Sequence, residues 1–206
     1  MTGRTIDVNV NLGRWPTRRV PLDEPGRLLE SLREHGVAEA WAGSLEGLLH
    51  KDVAGVNARL ADSCREHRGP GPRLEPFGTV NPTLPDWEED LRRCAEEHRM
   101  PGIRLHPNYH GYGTDDPRLA RLLAMASDRG LVVSLAMLME DSRMMHPMLR
   151  VPPVDLGPLA GVVGRIPGLR LVLLNATGAL RGERLRELVG AGEVSVEIAM
   201  LEGVGG

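Results

Sequence analysis

Seven strand-like segments, each except the last followed by a helical one, run through this chain in strict alternation. Alternation of this kind leaves few folds open, because consecutive parallel strands need a crossover long enough to hold a helix. The first segment, 5–13, sets Ile6, Val8, Val10 and Leu12 against Asp7, Asn9 and Asn11, the period-two pattern of a strand with one polar face. The others fall at 37–43, 74–81, 102–106, 131–137, 169–174 and 194–199. Helical periodicity marks 24–35, stopped by Gly36, and 48–67, broken by the Gly-Pro-Gly-Pro run at 69–72. It marks 87–98 after Pro85 and Asp86, 117–128 between Asp116 and Gly130, a helix that Asp155 caps and Pro167 ends, and 181–189.

Apolar outer faces, with polar groups gathered at the C-terminal strand ends, favour a (β/α)8 TIM barrel over an open doubly wound sheet. No Gly-x-Gly-x-x-Gly follows the first strand, which counts against a dinucleotide fold. A barrel needs an eighth strand and about 250 residues. This chain has 206 residues and runs into a glycine-rich tail after strand seven. We therefore expect a single domain over 1–206, truncated after strand seven, whose open edges need further sequence or a partner chain to close them. A homo-oligomer is compatible with that requirement.

The formal charge is 25 − 28 = −3 with both signs interspersed, so no basic stripe marks a nucleic-acid surface. No apolar leader opens the chain, and no apolar run approaches the roughly 18 residues of a membrane span, which points to a cytoplasmic protein. Cys64 and Cys94 lie in separate helical patterns without ligand-like spacing and read as packed thiols.

Candidate chemistry centres on 102–112, Gly-Ile-Arg-Leu-His-Pro-Asn-Tyr-His-Gly-Tyr. Alternation places Ile103 and Leu105 on one face and Arg104 and His106 on the other, and Pro107 ends the strand. The same alternation points Asp7, Asn9, Asn11, Asn81, Asn175 and Glu197 at the barrel interior or its mouth. Amides around one arginine and one histidine suit a carboxylate or a polar small molecule. His106 is the candidate acid or base; the alternative is a histidine bonded to a neighbouring carbonyl. In the loop after strand five, Arg143 and His146 either clamp an anion or leave Arg143 in a local ion pair with Asp141. Tyr109, His110 and Tyr112 either line the mouth or pack the loop.

Four stretches together resemble the amidohydrolase-related proteins, the "amidohydrolase 2" branch of the metal-dependent TIM-barrel hydrolases. They are Asp7 through Pro16, the 102–112 segment, Glu140 through Pro147, and Leu171 through Ala176. The resemblance implies a hydrolase or a decarboxylating lyase acting on a small polar or carboxylate-bearing substrate at the C-terminal mouth, with a divalent zinc, magnesium or manganese ion. It also implies metal ligands at Asn9, Asn11 and Asn175, where the family carries histidines. Neutral amides are poor zinc ligands, and without enough carboxylates they do not balance magnesium or calcium. The expectation is therefore that the metal is absent, and that Asn9 and Asn11 form a hydrogen-bonded pair closing the mouth. Substrate contacts are expected from Arg104, His110, Asn81, Arg143, His146 and Glu197, with His106 catalytic. The alternative is a metal-free barrel that binds a small molecule or a partner chain without turnover.

Overall fold

The computed structural model describes residues 3–141, 143–176 and 180–198. Ser142, the end of the expected last strand at Ala199 and the glycine-rich tail lie outside the described residues. The strands are β1 (Thr5–Leu12), β2 (Val37–Ser44), β3 (Arg73–Thr79), β4 (Gly102–Leu105), β5 (Val132–Ala136), β6 (Arg170–Leu174) and β7 (Glu193–Val196). They pair in parallel in sequence order. The helices are α1 (Pro25–Glu34), α2 (Val53–Glu66), α3 (Trp87–Arg92), α4 (Pro107–His110), α5 (Pro117–Asp128), α6 (Leu159–Val163) and α7 (Gly182–Ala191).

Side-chain reach shows that this sheet is curled. Asn9 on β1 donates to Asn175 beyond the end of β6 over 3.0 Å. Five strand spacings separate β1 from β6, about 24 Å in a flat sheet. Arg104 on β4 likewise bonds carbonyls of β1 and β2. The strands thus form seven staves of a (β/α)8 barrel, with no eighth strand among the described residues.

Outward-facing Ile103, Leu105, Val133, Leu135, Leu171 and Leu173 form the main core with the helices, and all are essentially inaccessible. A smaller cluster joins Val10, Leu12 and Ala42 to Leu28 and Leu32 of α1. Buried Asn57 fastens α2 to β3: its side chain donates to the Thr79 carbonyl and accepts from the Thr79 N–H, both at 2.8 Å.

Several local expectations change. The helix expected over 48–67 is a 3₁₀ turn (Leu45–Leu48) and then α2, because the Asp52 side chain accepts from the Gly55 N–H at 2.9 Å and starts the helix there. Asp155 caps a turn through the Gly157 N–H, while α6 starts after Pro158. The segment after β4 forms the single-turn α4, closed by Gly111 at φ 72°.

Gly102 is required by space. A Cβ there would lie 2.3 Å from Phe77 Cε1 and 2.4 Å from the Val132 carbonyl oxygen, which is backbone and cannot turn away. Gly102→Ala is expected to destabilise by about 3 kcal/mol or more. Gly190→Ala in α7, with nothing within 4 Å of its new methyl, is expected to stabilise by roughly 0.5–1 kcal/mol. Urea unfolding of both variants checks the opposite signs.

Candidate functional site

The C-terminal strand ends gather the polar interior residues. Arg104 is fully buried. Its Nη1 donates to the Val10 carbonyl at 2.7 Å and Asn11 Oδ1 at 2.9 Å. Its Nη2 donates to the carbonyls of Val8 at 3.0 Å and Trp41 at 2.8 Å. All four terminal N–H groups are thereby used, and the buried Nε has no hydrogen-bond partner. Gly43 makes room for this side chain, since a Cβ there would sit 2.7 Å from Nη1. Burial lowers the Arg104 pKa to about 10, against the opposing pull of Asp7 and Glu197, so the guanidinium remains charged at neutral pH.

Beside it lies a second knot. Asn9 Nδ2 donates to Asn175 Oδ1 at 3.0 Å and to Glu197 Oε2 at 3.4 Å. Asn175 donates its backbone N–H to Glu197 Oε2 at 2.9 Å and its Nδ2 to the Leu138 carbonyl at 2.6 Å. Asn175 adopts φ 55°, a left-handed conformation that asparagine tolerates and that turns its side chain inward at the end of β6. Asn9 and Asn11 therefore do not pair with each other. Asn9 joins β1 to β6 and β7, and Asn11 is held by Arg104.

These partners fix the amide orientations. A carbonyl and a carboxylate only accept and a guanidinium only donates, so the oxygens of Asn11 and Asn175 are both already receiving hydrogen bonds. A divalent metal at this mouth would compete for those neutral oxygens beside a guanidinium 2.9 Å from one of them. Among the described residues, no group of three His, Cys, Asp or Glu is placed to hold a metal. The residues present do not fit a zinc, magnesium or manganese ion.

His106 follows β4 and is 1% exposed, with Nδ1 buried and unpartnered. Its ring meets that of His110 edge to face at 5.8 Å. Burial, then the neighbouring charges of His110 and Arg104, push its pKa well below 6.5, so it is neutral at physiological pH. His110 Nε2 bonds the Gly47 carbonyl at 2.9 Å, and burial lowers its pKa too. Glu197 is buried in the amide knot.

The remaining candidates lie apart. Asn81 turns to its own loop, accepting from the N–H and hydroxyl of Thr83. Exposed Arg143 pairs with Asp141 at 2.7 Å, and His146 accepts from the Met148 N–H at 3.2 Å.

Two cavities open beside the amide knot and share Met139 and Asn175. A polar lobe of about 410 Å³ is lined by Asp7, Asn9, Asn11, Trp15 and Arg18. An apolar lobe of about 460 Å³ is lined by Leu138, Met145, Val151, Pro153 and Glu140. A larger groove of about 1040 Å³ lies between the loops after β1 and β2. Several of its charges are paired, Arg59 with Glu46 and Arg19 with Asp23. Trp15, Arg18, Met139 and Glu140 did not emerge as site residues from the sequence, since loop side chains carry no periodicity that places them. Their signals were lying after strand ends one and five and, for Trp15 and Glu140, falling inside the stretches that resemble the family.

The amidohydrolase family model matches residues 11–200. No curated protein matches the chain. Among solved structures, 5-carboxyvanillate decarboxylase from Sphingomonas paucimobilis superposes with a TM-score of 0.64 at 16% identity, over 93% of this chain and 80% of that one. The IDCase of Metarhizium anisopliae gives 0.61 at 16% identity, over 87% and 67%. The 2,6-dihydroxybenzoate decarboxylase from Rhizobium gives 0.59 at 13% identity, over 96% and 88%. At these identities the likeness is one of fold.

Buried His106 and partly buried His110 make stability depend on pH. Both have folded-state pKa values below the unfolded value of 6.5, so the unfolded chain binds more protons on acidification. Their contribution is fully present above about pH 6.5 and is lost as pH falls toward the folded-state values. Urea midpoints measured from about pH 7.5 down to about pH 5 should fall, and His106→Gln should flatten the slope. An unchanged slope would assign the dependence to other groups.

Proposed function

Because the chain belongs to the amidohydrolase family, we propose that it is a hydrolase or a decarboxylating lyase acting on a small carboxylate-bearing molecule at the barrel mouth. The observation that supports this reading is the two-lobed cleft at the strand ends, polar over β1 and apolar beyond β5, with the amides of Asn9, Asn11 and Asn175 in or beside it. A substrate with a polar head and an apolar body matches both lobes. Proton transfer falls to side chains, since the donor set does not suit a metal. His106 is the candidate: its imidazole is neutral at pH 7 and so free to accept a proton, while the burial that lowers its pKa also weakens it as a base. Arg104 supports the site from beneath. Its four bonds to Val8, Val10, Asn11 and Trp41 fix the strand end that carries Asn9 and Asn11.

A second reading is binding without turnover. What favours it is the burial of His106, at 1% exposure, together with amides whose hydrogen bonds are spent on one another, on Glu197 and on Arg104.

A panel of aryl carboxylates and esters, assayed for carbon dioxide or acid release, separates the two. Under the enzyme reading, turnover survives chelator dialysis and falls about 100-fold or more in His106→Gln, with the thermal midpoint near that of the unaltered protein. Full activity in that variant removes His106 from the mechanism, and activity that needs added metal overturns the metal-free site. Saturable binding without turnover establishes the second reading.

A further inference from the structure

Two charged side chains of opposite sign face each other across the cleft, outside the amide knot. Arg18, in the β1–α1 loop, lines the polar lobe, and Glu140, after β5, lines the apolar lobe. Arg18 Nη2 lies 3.6 Å from Glu140 Oε2, close enough for an ion pair and too far for a hydrogen bond. The Glu140 side chain is 6% exposed, and its Oε2 is buried without a hydrogen-bond donor. That is an unfavourable state for a carboxylate oxygen.

Arg18 is held at the rim by other means. Its Cζ lies 5.6 Å over the Trp15 ring, and Trp15 packs edge-on against Tyr109 at 6.5 Å. Trp15, Leu45 and Leu48 form a small cluster of their own, with Tyr109 and Met139 against it. The loops after β1, β4 and β5 thus meet in one apolar platform that carries the guanidinium. Its side chain stays 37% exposed, so an incoming molecule can reach it.

We propose that Arg18 is the specificity-determining cation of the cleft: an incoming carboxylate displaces Glu140 as its partner while the ligand's apolar body lies in the lobe lined by Met139, Leu138 and Met145. This rests on the reading that a small carboxylate-bearing molecule occupies the cleft, and it adds the residue that selects for the charge. What the exchange gains is hydrogen bonding: an arginine and a free carboxylate can form two hydrogen bonds of about 2.7–2.9 Å, where Arg18 and Glu140 form none. Trp15 keeps the guanidinium plane in place as the partner changes. Glu140 is then an internal competitor that occupies Arg18 when no anion is bound. A neutral ligand of the same shape gains nothing from the exchange.

Benzoate and benzamide, matched in shape and different in charge, test this by NMR titration of the full chain at low salt. The forms compared are the unaltered protein, Arg18→Gln, Arg18→Lys and Glu140→Gln, each first checked for folding by thermal unfolding. Benzoate is expected to bind more tightly than benzamide. Arg18→Gln should weaken benzoate about tenfold, leave benzamide unchanged, and be partly rescued in Arg18→Lys, which keeps the charge and loses the fork. Glu140→Gln should strengthen benzoate several-fold, because the competitor is gone. Opposite signs for the two halves of one ion pair distinguish exchange from a structural role, in which both variants would weaken binding alike. Benzoate bound equally by all forms, or weakened equally by both substitutions, overturns the assignment of Arg18 and leaves the cleft reading standing. No saturable binding of either compound to any form overturns the cleft reading, and the proposal with it.

Discussion

A single guanidinium ties the two sides of this barrel together. Arg104 rises from β4 into an interior where water does not reach and gives its terminal N–H groups to β1 and β2. A buried cation is costly to keep out of water, and here mainly carbonyl dipoles compensate it, with the charges of Asp7 and Glu197 farther off. Placing it constrains the rest. β2 must carry Gly43 opposite it, and β1 must present its carbonyls inward, as its irregular register with β2 between Asp7 and Val10 accompanies. Asn11 must offer its oxygen to a donor. The polar mouth of the barrel is built on that arrangement.

The same arrangement sets the mouth's chemistry. Oxygens that accept from a guanidinium or from another amide are poorly suited to a divalent cation. Two positive side chains stand at this mouth, one buried at Arg104 and one at the rim on Arg18. Charge built into side chains can change partners without an ion leaving the site, which suits recognition of an anion. The family match and the likeness to decarboxylase structures speak for the barrel; the particular residues at the mouth speak for how this chain uses it.

Much of the architecture was legible because strands and helices leave periodic traces. The seven strands lie within a few residues of their period-two or apolar runs, and Asp116 and Gly130 bracket α5 as their caps require. Legibility failed where a side chain, and not a period, decided a boundary, as at Asp52, whose bond to Gly55 starts α2 at Val53, after the 3₁₀ turn has ended at Leu48. The site was legible in part. Alternation correctly turned Asn9, Asn11, Arg104 and Glu197 inward, but it carried no information on which would meet. Arg143 and His146, next to strand five in sequence, turn to their own loop, while Arg18, from the other side of the barrel, reaches Glu140.

The sequence by itself determined the order of strands and helices, the polar inner face of β1 and β4, and the asparagines on the inner face of β1, since each follows from local periodicity and side-chain type. Only the tertiary structure decided that Arg104 is spent on backbone carbonyls, that Asn9 meets Asn175 and Glu197, and that Arg18 faces a buried, under-bonded Glu140. Those pairings join residues from about 90 to nearly 190 positions apart, Arg104 with Trp41 being the shorter exception. Curling the sheet brings such residues within 3–4 Å, and the degree of that curl depends on every strand pairing at once and on no single stretch of chain.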